Sequence, residues 1–182
     1  MLGQARNPLV RWEYITEEWD RIQEALIQHL ELVLYSVTLG FILSAALAAL
    51  ALRFRWTTSA ITGFTGFLYT IPSVALFAIL VPYFGLTRTS AVIPLAAYTL
   101  LILVTNSIAG FRSIPASVRE AAYGMGLTPL RRVLTVELPL ALPYIITGRR
   151  IAVDSTVGLV PVGAIIGQGG LGRLILDGLR RA

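Results

Sequence analysis

The sequence contains no cysteine, no lysine and a single histidine. Without cysteine there is no disulfide and no thiolate metal site, and the redox compartment is unreadable. Charge is scarce too. Only 14% of the residues are charged, against about a quarter in a soluble domain, and 55% are hydrophobic. Between Glu31 and Glu120 there is no Asp, Glu, His or Lys. Ion-coupled secondary transport usually relies on an ionisable group within the membrane, so this gap tells against that class. It leaves only Asp154, which Arg150 can neutralise from four residues away. An enzyme is disfavoured on similar grounds. His29 has no metal partner and reads as an interfacial residue at the start of a span, and Ser36, Ser44, Ser73 and Ser107 lack a basic partner within reach. The expectation is therefore no catalytic residue, no metal site, no cofactor in this chain and no nucleic-acid partner. The first 31 residues carry nine charges and no apolar core, which excludes a cleavable signal peptide there.

What the sequence does have is long stretches free of charge: 32–52, 56–87 and 89–111. A bilayer core of about 30 Å needs about 20 apolar helical residues, so each run can cross once. At 182 residues the chain has room for one domain, 1–182. The reading is an all-α integral membrane protein with four spans, near 32–52, 60–83, 90–110 and 150–169. The fourth is placed just past Arg149 and Arg150, with Arg150 and Asp154 pairing near a membrane edge. The charged tail after Gly170 is too short to cross again. Pro72 falls inside the second span, where neighbouring helices would satisfy the carbonyl it frees.

Ahead of the first span, 12–31 reads as an amphipathic helix. Ile15, Trp19, Ile22, Leu26 and Leu30 form one apolar stripe, with Thr16 as N-cap and acidic residues in the first turn. Arginine counts set the orientation: two in 53–55 and four in 112–132, against one in 84–89. Positive-inside then places the 113–137 loop in the cytoplasm and the N-terminus outside.

That loop is polar yet patterned. Val118, Ala121, Ala122 and Met125 make a narrow apolar face, and Ser117 and Glu120 have capping-box spacing, with an earlier start at Ser113 as the alternative. Gly126 sits where a helix end takes positive φ, and Thr128-Pro129 restarts a helix that should end at Leu138-Pro139. The reading is helix, glycine elbow, helix.

The elbow carries a resemblance. "EAAYGMG", nine residues, then "VELP" is similar to the EAA motif of permease subunits in bacterial ATP-binding-cassette importers. Glu120, Ala121, Ala122, Gly126, Leu138 and Pro139 match at full spacing, with Val136 in place of Ile. "YTIPSVALFAILVPYFGL", "ELPLALPYIITGRR" and "GAIIGQGGLG" further resemble the osmoprotectant class, which imports glycine betaine, carnitine, choline or proline. The resemblance covers nearly the whole chain. It implies a multi-pass protein of the bacterial inner membrane, surrounded by lipid, whose elbow residues couple to a cytoplasmic ATPase holding ATP-Mg. It also implies an extracytoplasmic substrate-binding protein and a second permease copy or paralogue. Members usually carry one further span after the Gly-Gly-Leu-Gly segment, which this chain, stopping at Ala182, does not; a truncated chain or an incomplete gene is expected. Methionine or another small solute is the alternative cargo. Tyr69 and Tyr98, deep in their spans, are the candidates for lining the path, while Tyr83 and Phe84 fit an aromatic belt. With no fixed charge in the first three spans beyond their ends, solute choice is expected to fall mainly to the binding protein.

Overall fold

The computed structural model describes residues 12–181, and these are helical apart from short connections. A six-residue helix, α1 (Trp12–Glu17), leads into α2 (Trp19–Arg53), which runs unbroken for 35 residues. The amphipathic helix and the first span are thus one element, because no proline and no glycine interrupts the chain where they join. Glu18, not Thr16, takes the N-cap position of the long helix.

The face that α2 packs is also not the expected one. Ala25, His29, Leu32 and Ser36 are buried, whereas Trp19, Leu26 and Leu30 of the apolar stripe are between 42% and 57% exposed. Polar side chains make the contacts instead. Arg21 pairs with Asp177, Gln28 Nε2 donates to Gln168 Oε1 at 3.3 Å, and Arg88 lies 2.9 Å from Glu31. Small or polar residues take the helix–helix contacts, as they do between membrane helices. His29 is accordingly buried, packed against Gly170.

The second apolar run forms two helices, α3 (Thr57–Thr70) and α4 (Ser73–Phe84), bent by 92°. Pro72 bars Ile71 from the helical region, and Ile71 sits at φ −69°, ψ 128°. The single span expected over 60–83 is therefore a broken one. The third, α5 (Arg88–Arg112), is continuous as expected and longer by two residues at each end. It is the hub of the fold, packing against α2, α3, α4 and α8. One core cluster, with Leu32, Val37, Phe77, Leu95 and Val160, gathers around its first half; another, with Ala48, Ala51, Ile61, Val104 and Ile108, around its second. Glycines set how closely the neighbours approach. A Cβ at Gly40 would lie 1.8 Å from Thr99 Oγ1, and one at Gly148 would lie 2.6 Å from Asn106 Cβ.

After α5 comes α6 (Ala116–Gly124), then α7 (Pro129–Arg132), a π-helical turn (Val133–Glu137), α8 (Leu138–Leu159) and a 3₁₀ turn (Val160–Ile166). The final helix, α9 (Leu171–Arg181), follows a 54° bend. The fourth span expected at 150–169 is thus displaced. The helix is already formed at Leu138, and Arg149, Arg150 and Asp154 fall inside it instead of at its mouth. Charge alone argued for a late start, but Pro139 stands in the first turn of α8, where a proline costs least, and the helix carries Pro143 inside it. Among the described residues two helices, α2 and α5, are long and apolar enough to cross a membrane alone; counting each bent pair as one span gives up to four.

Candidate functional site

The elbow begins where Pro115, at φ −58° and ψ 145°, acts as the N-cap of α6 without any side-chain hydrogen bond. The capping box of Ser117 and Glu120 does not form, nor does the helix start at Ser113, because proline's fixed φ already places Ser117 inside the first turn. The C-terminus is closed as a Schellman motif. Leu127 N–H donates to Ala122 C=O at 3.2 Å, Gly126 N–H to Tyr123 C=O at 2.9 Å, and Gly126 adopts φ +74°. No atom lies within 4 Å of where a Cβ at Gly126 would be, so conformation rather than space demands glycine. Thr128 then accepts from Arg131 N–H at 3.4 Å, with Pro129 in the first position, the expected restart.

The restarted helix does not stop at Leu138-Pro139. It widens into the π turn, where Leu138 N–H reaches back five residues to Val133 C=O, and continues as α8. Proline 139 has no N–H to give, and the wider turn absorbs the missing bond. The elbow is in this way joined to a membrane helix without a break.

Its side chains divide into two sets. Ala122 is fully buried and Val118 half-buried, whereas Glu120, Ala121 and Met125 face outward, so the expected single apolar face is split. Leu138 is half-buried and Pro139 exposed at the base of α8. Beside Glu120 and Ala121 stand Tyr123, Met125, Leu130 and Leu134, between 54% and 75% exposed. Glu120 has no hydrogen-bond or ion-pair partner among the described residues. The outward surface is therefore apolar, with one free carboxylate and a small residue that admits close approach.

On its inner side the elbow is held by a residue that pattern reading passed over. Glu137 is only 7% exposed, with Oε1 2.9 Å from Arg132 Nε and 3.6 Å from Arg119 Nε. Neither contact is aligned as a hydrogen bond, so the attraction is electrostatic. Arg119 also donates to the carbonyl of Phe111, at the end of α5. One acid thus ties α6, α7 and the base of α8 together, and one arginine ties them to α5. The available signal was that Glu137 is the sole acid between Glu120 and Asp154. Above this knot lies a cavity of about 900 Å³, lined by Arg53, Arg55, Arg112, Arg119 and Arg132 among others.

Tyr69 and Tyr98 lie away from the elbow and against each other, ring centroids 5.5 Å apart at 66°. Tyr98 is 7% exposed and its hydroxyl donates to the carbonyl of Ile71, which the α3–α4 break leaves without a helical partner. Tyr69 is 41% exposed. Tyr83 and Phe84 end α4 on the surface.

Three comparisons bear on this arrangement. The family described as binding-protein-dependent transport system inner membrane component matches residues 36–182. The chain is 37% identical over 171 residues to the osmoprotectant import permease protein OsmW of Salmonella typhimurium, covering 91% of this chain and 80% of that one. It is 32% identical over 152 residues to the glycine betaine/carnitine/choline transport system permease protein OpuCB of Bacillus subtilis, covering 84% and 70%. Its fold is similar to that of the MetNI methionine ABC transporter in an inward-facing conformation, with a TM-score of 0.73 at 22% identity, over 87% of this chain and 80% of that one.

Proposed function

This chain belongs to the family of binding-protein-dependent transport system inner membrane components, and from that membership we propose that it carries a quaternary-ammonium osmoprotectant across the inner membrane. The family's transport depends on a substrate-binding protein and an ATPase. The solute class is supported by the names of its relatives, which take up osmoprotectants, glycine betaine, carnitine and choline. In our reading two permease copies, surrounded by lipid, enclose the path, and the chain itself performs no chemistry. Hydrolysis of ATP-Mg takes place in the partner subunit. The N-terminus lies outside, and the end bearing Arg53, Arg55, Arg112 and the elbow lies in the cytoplasm, in keeping with the positive-inside rule.

The observation that carries this reading is the elbow's two-sidedness. Its outer surface offers Glu120, Ala121 and exposed apolar side chains to a partner, while its inner side is tied through Arg119 and Glu137 to α5 and α8. Such an element transmits motion from a docked ATPase to the spans. Ala122 serves this role from within, as the buried residue on which α6 seats; Leu138 and Pro139 form the joint to α8. Glu120→Gln and Ala121→Arg should insert into the membrane normally but lose most ATPase co-purification. If both variants retain ATPase binding and ATP-driven uptake at wild-type level, the elbow is a plain connector and the proposal fails.

A further inference from the structure

Helix α8 buries Ala141, Gly148, Ala152 and Thr156 against the rest of the fold. On the opposite side Thr147, Arg150 and Asp154, at spacings of three and four, form an exposed polar row. Their depth can be read from the neighbouring helix. Gly148 faces Asn106, and Val160 shares a cluster with Ala91 and Leu95. Arg150 and Asp154 therefore stand opposite the middle of α5, a helix whose only charges are Arg88 and Arg112 at its two ends. That is mid-membrane.

Charges at this depth are costly, and they face protein or water-filled cavities rather than lipid. This pair does not satisfy itself. The Arg150 and Asp154 side chains are 84% and 71% exposed, and Nε stands 3.9 Å from Oδ2, an ion pair beyond hydrogen-bond distance. A guanidinium has five N–H donors, and none of Arg150's makes a hydrogen bond among the described residues. Arg149, a quarter-turn away, is exposed and has no ion-pair partner among the described residues. Two arginines against one aspartate leave this part of α8 with a net positive charge.

We propose that Arg150, steadied by Asp154, is a solute-contact residue in the membrane path and selects for a carboxylate on the solute. The inference rests on reading the chain as an importer permease, since it needs the exposed side of α8 to face the path. A zwitterion such as glycine betaine presents a planar carboxylate that a guanidinium can hold with two parallel N–H···O bonds. Its ammonium group finds Asp154 nearby. Choline has the same ammonium group but no carboxylate for the guanidinium to hold, so it meets a net positive charge without that compensation. Part of the selection thus lies in this chain, beyond what the uncharged first three spans suggest.

The test uses the complete importer, with its ATPase and binding protein, in liposomes given glycine betaine or choline. Arg150→Gln should cut glycine betaine uptake about tenfold or more, the worth of one charged hydrogen bond. Choline uptake should change less than about twofold, and Arg150→Lys should restore part of the loss. If choline is not carried by wild type, the Lys rescue against the Gln loss is the deciding comparison. Equal loss for both solutes, no loss for either, or transport of choline without glycine betaine overturns the proposal. So does loss of complex assembly in Arg150→Gln, which would make the residue a contact between copies. If wild type carries neither solute, the osmoprotectant reading itself falls, an outcome distinct from failure of the site alone.

Discussion

Glu137 shows how much one buried carboxylate can be asked to do. It lies in the π turn between two arginines that come from different helices, and no other acid is near enough in sequence to replace it. Exposed ion pairs are worth about 0–1 kcal/mol, and breaking a buried one costs about 3–5 kcal/mol. The arginine side chains here are 30% and 39% exposed, so an intermediate cost of about 1–3 kcal/mol is expected for Glu137→Gln. The loss should fall on transmission rather than insertion. Glu137→Gln is expected to keep membrane yield and ATPase binding while lowering solute moved per ATP hydrolysed. Comparing uptake with phosphate release in proteoliposomes checks this, and an unchanged ratio would mean that the knot is only structural. Tyr98 is a second residue whose work is internal. Its hydroxyl completes a broken helix, so it positions the α3–α4 joint, and Tyr69 beside it is the more accessible of the pair.

Among the elements, the breaks carry the design, and they differ in how visible they are in sequence. Gly126 was legible because Schellman geometry needs positive φ and glycine supplies it without strain. Thr128-Pro129 was legible for an equally local reason, a cap and a proline in adjacent positions. The continuation through Pro139 into α8 was not, because a π turn depends on which carbonyls are free and leaves no residue signature of its own. Pro72 was seen, but whether proline kinks a helix or ends it is decided by neighbours such as Tyr98, from a distant part of the chain. Since the site of a Cβ on Gly126 is empty, substitution there probes conformation alone. Gly126→Val should cost roughly 1 kcal/mol or more in the elbow and reduce ATPase-driven uptake. Gly126→Asn, which tolerates the left-handed region, should retain most of it. Equal uptake by both variants would show that the elbow's shape does not matter.

For the whole molecule, what was legible was the presence of membrane helices; what was not was which side of each helix meets protein. Ile22, Leu26 and Leu30 form a faultless stripe by soluble-protein rules, yet Leu26 and Leu30 are exposed, because Arg21, Gln28 and Glu31 make the contacts with the neighbouring segments there. Orientation belongs to this scale as well. The natural chain has no cysteine, so single cysteines at Thr87 and Thr128, both exposed and at opposite ends, report sidedness cleanly. In intact cells an impermeant thiol reagent should label Thr87→Cys and spare Thr128→Cys; the reverse pattern would invert the topology. One dimension of the molecule then has a consequence of its own. At 1.5 Å per residue, the 35 residues of α2 measure about 52 Å, while the hydrocarbon core is about 30 Å thick. A typical tilt of about 20° recovers only a few ångströms, so about 20 Å of rod must stand clear of the oil. Along that post Arg21, Gln28 and Glu31 grip α9, the 167–170 turn and the start of α5. Three separate pieces of chain thus hold on to one post, so α9, the 167–170 turn and the start of α5 are expected to shift together with the end of α2 rather than independently of it.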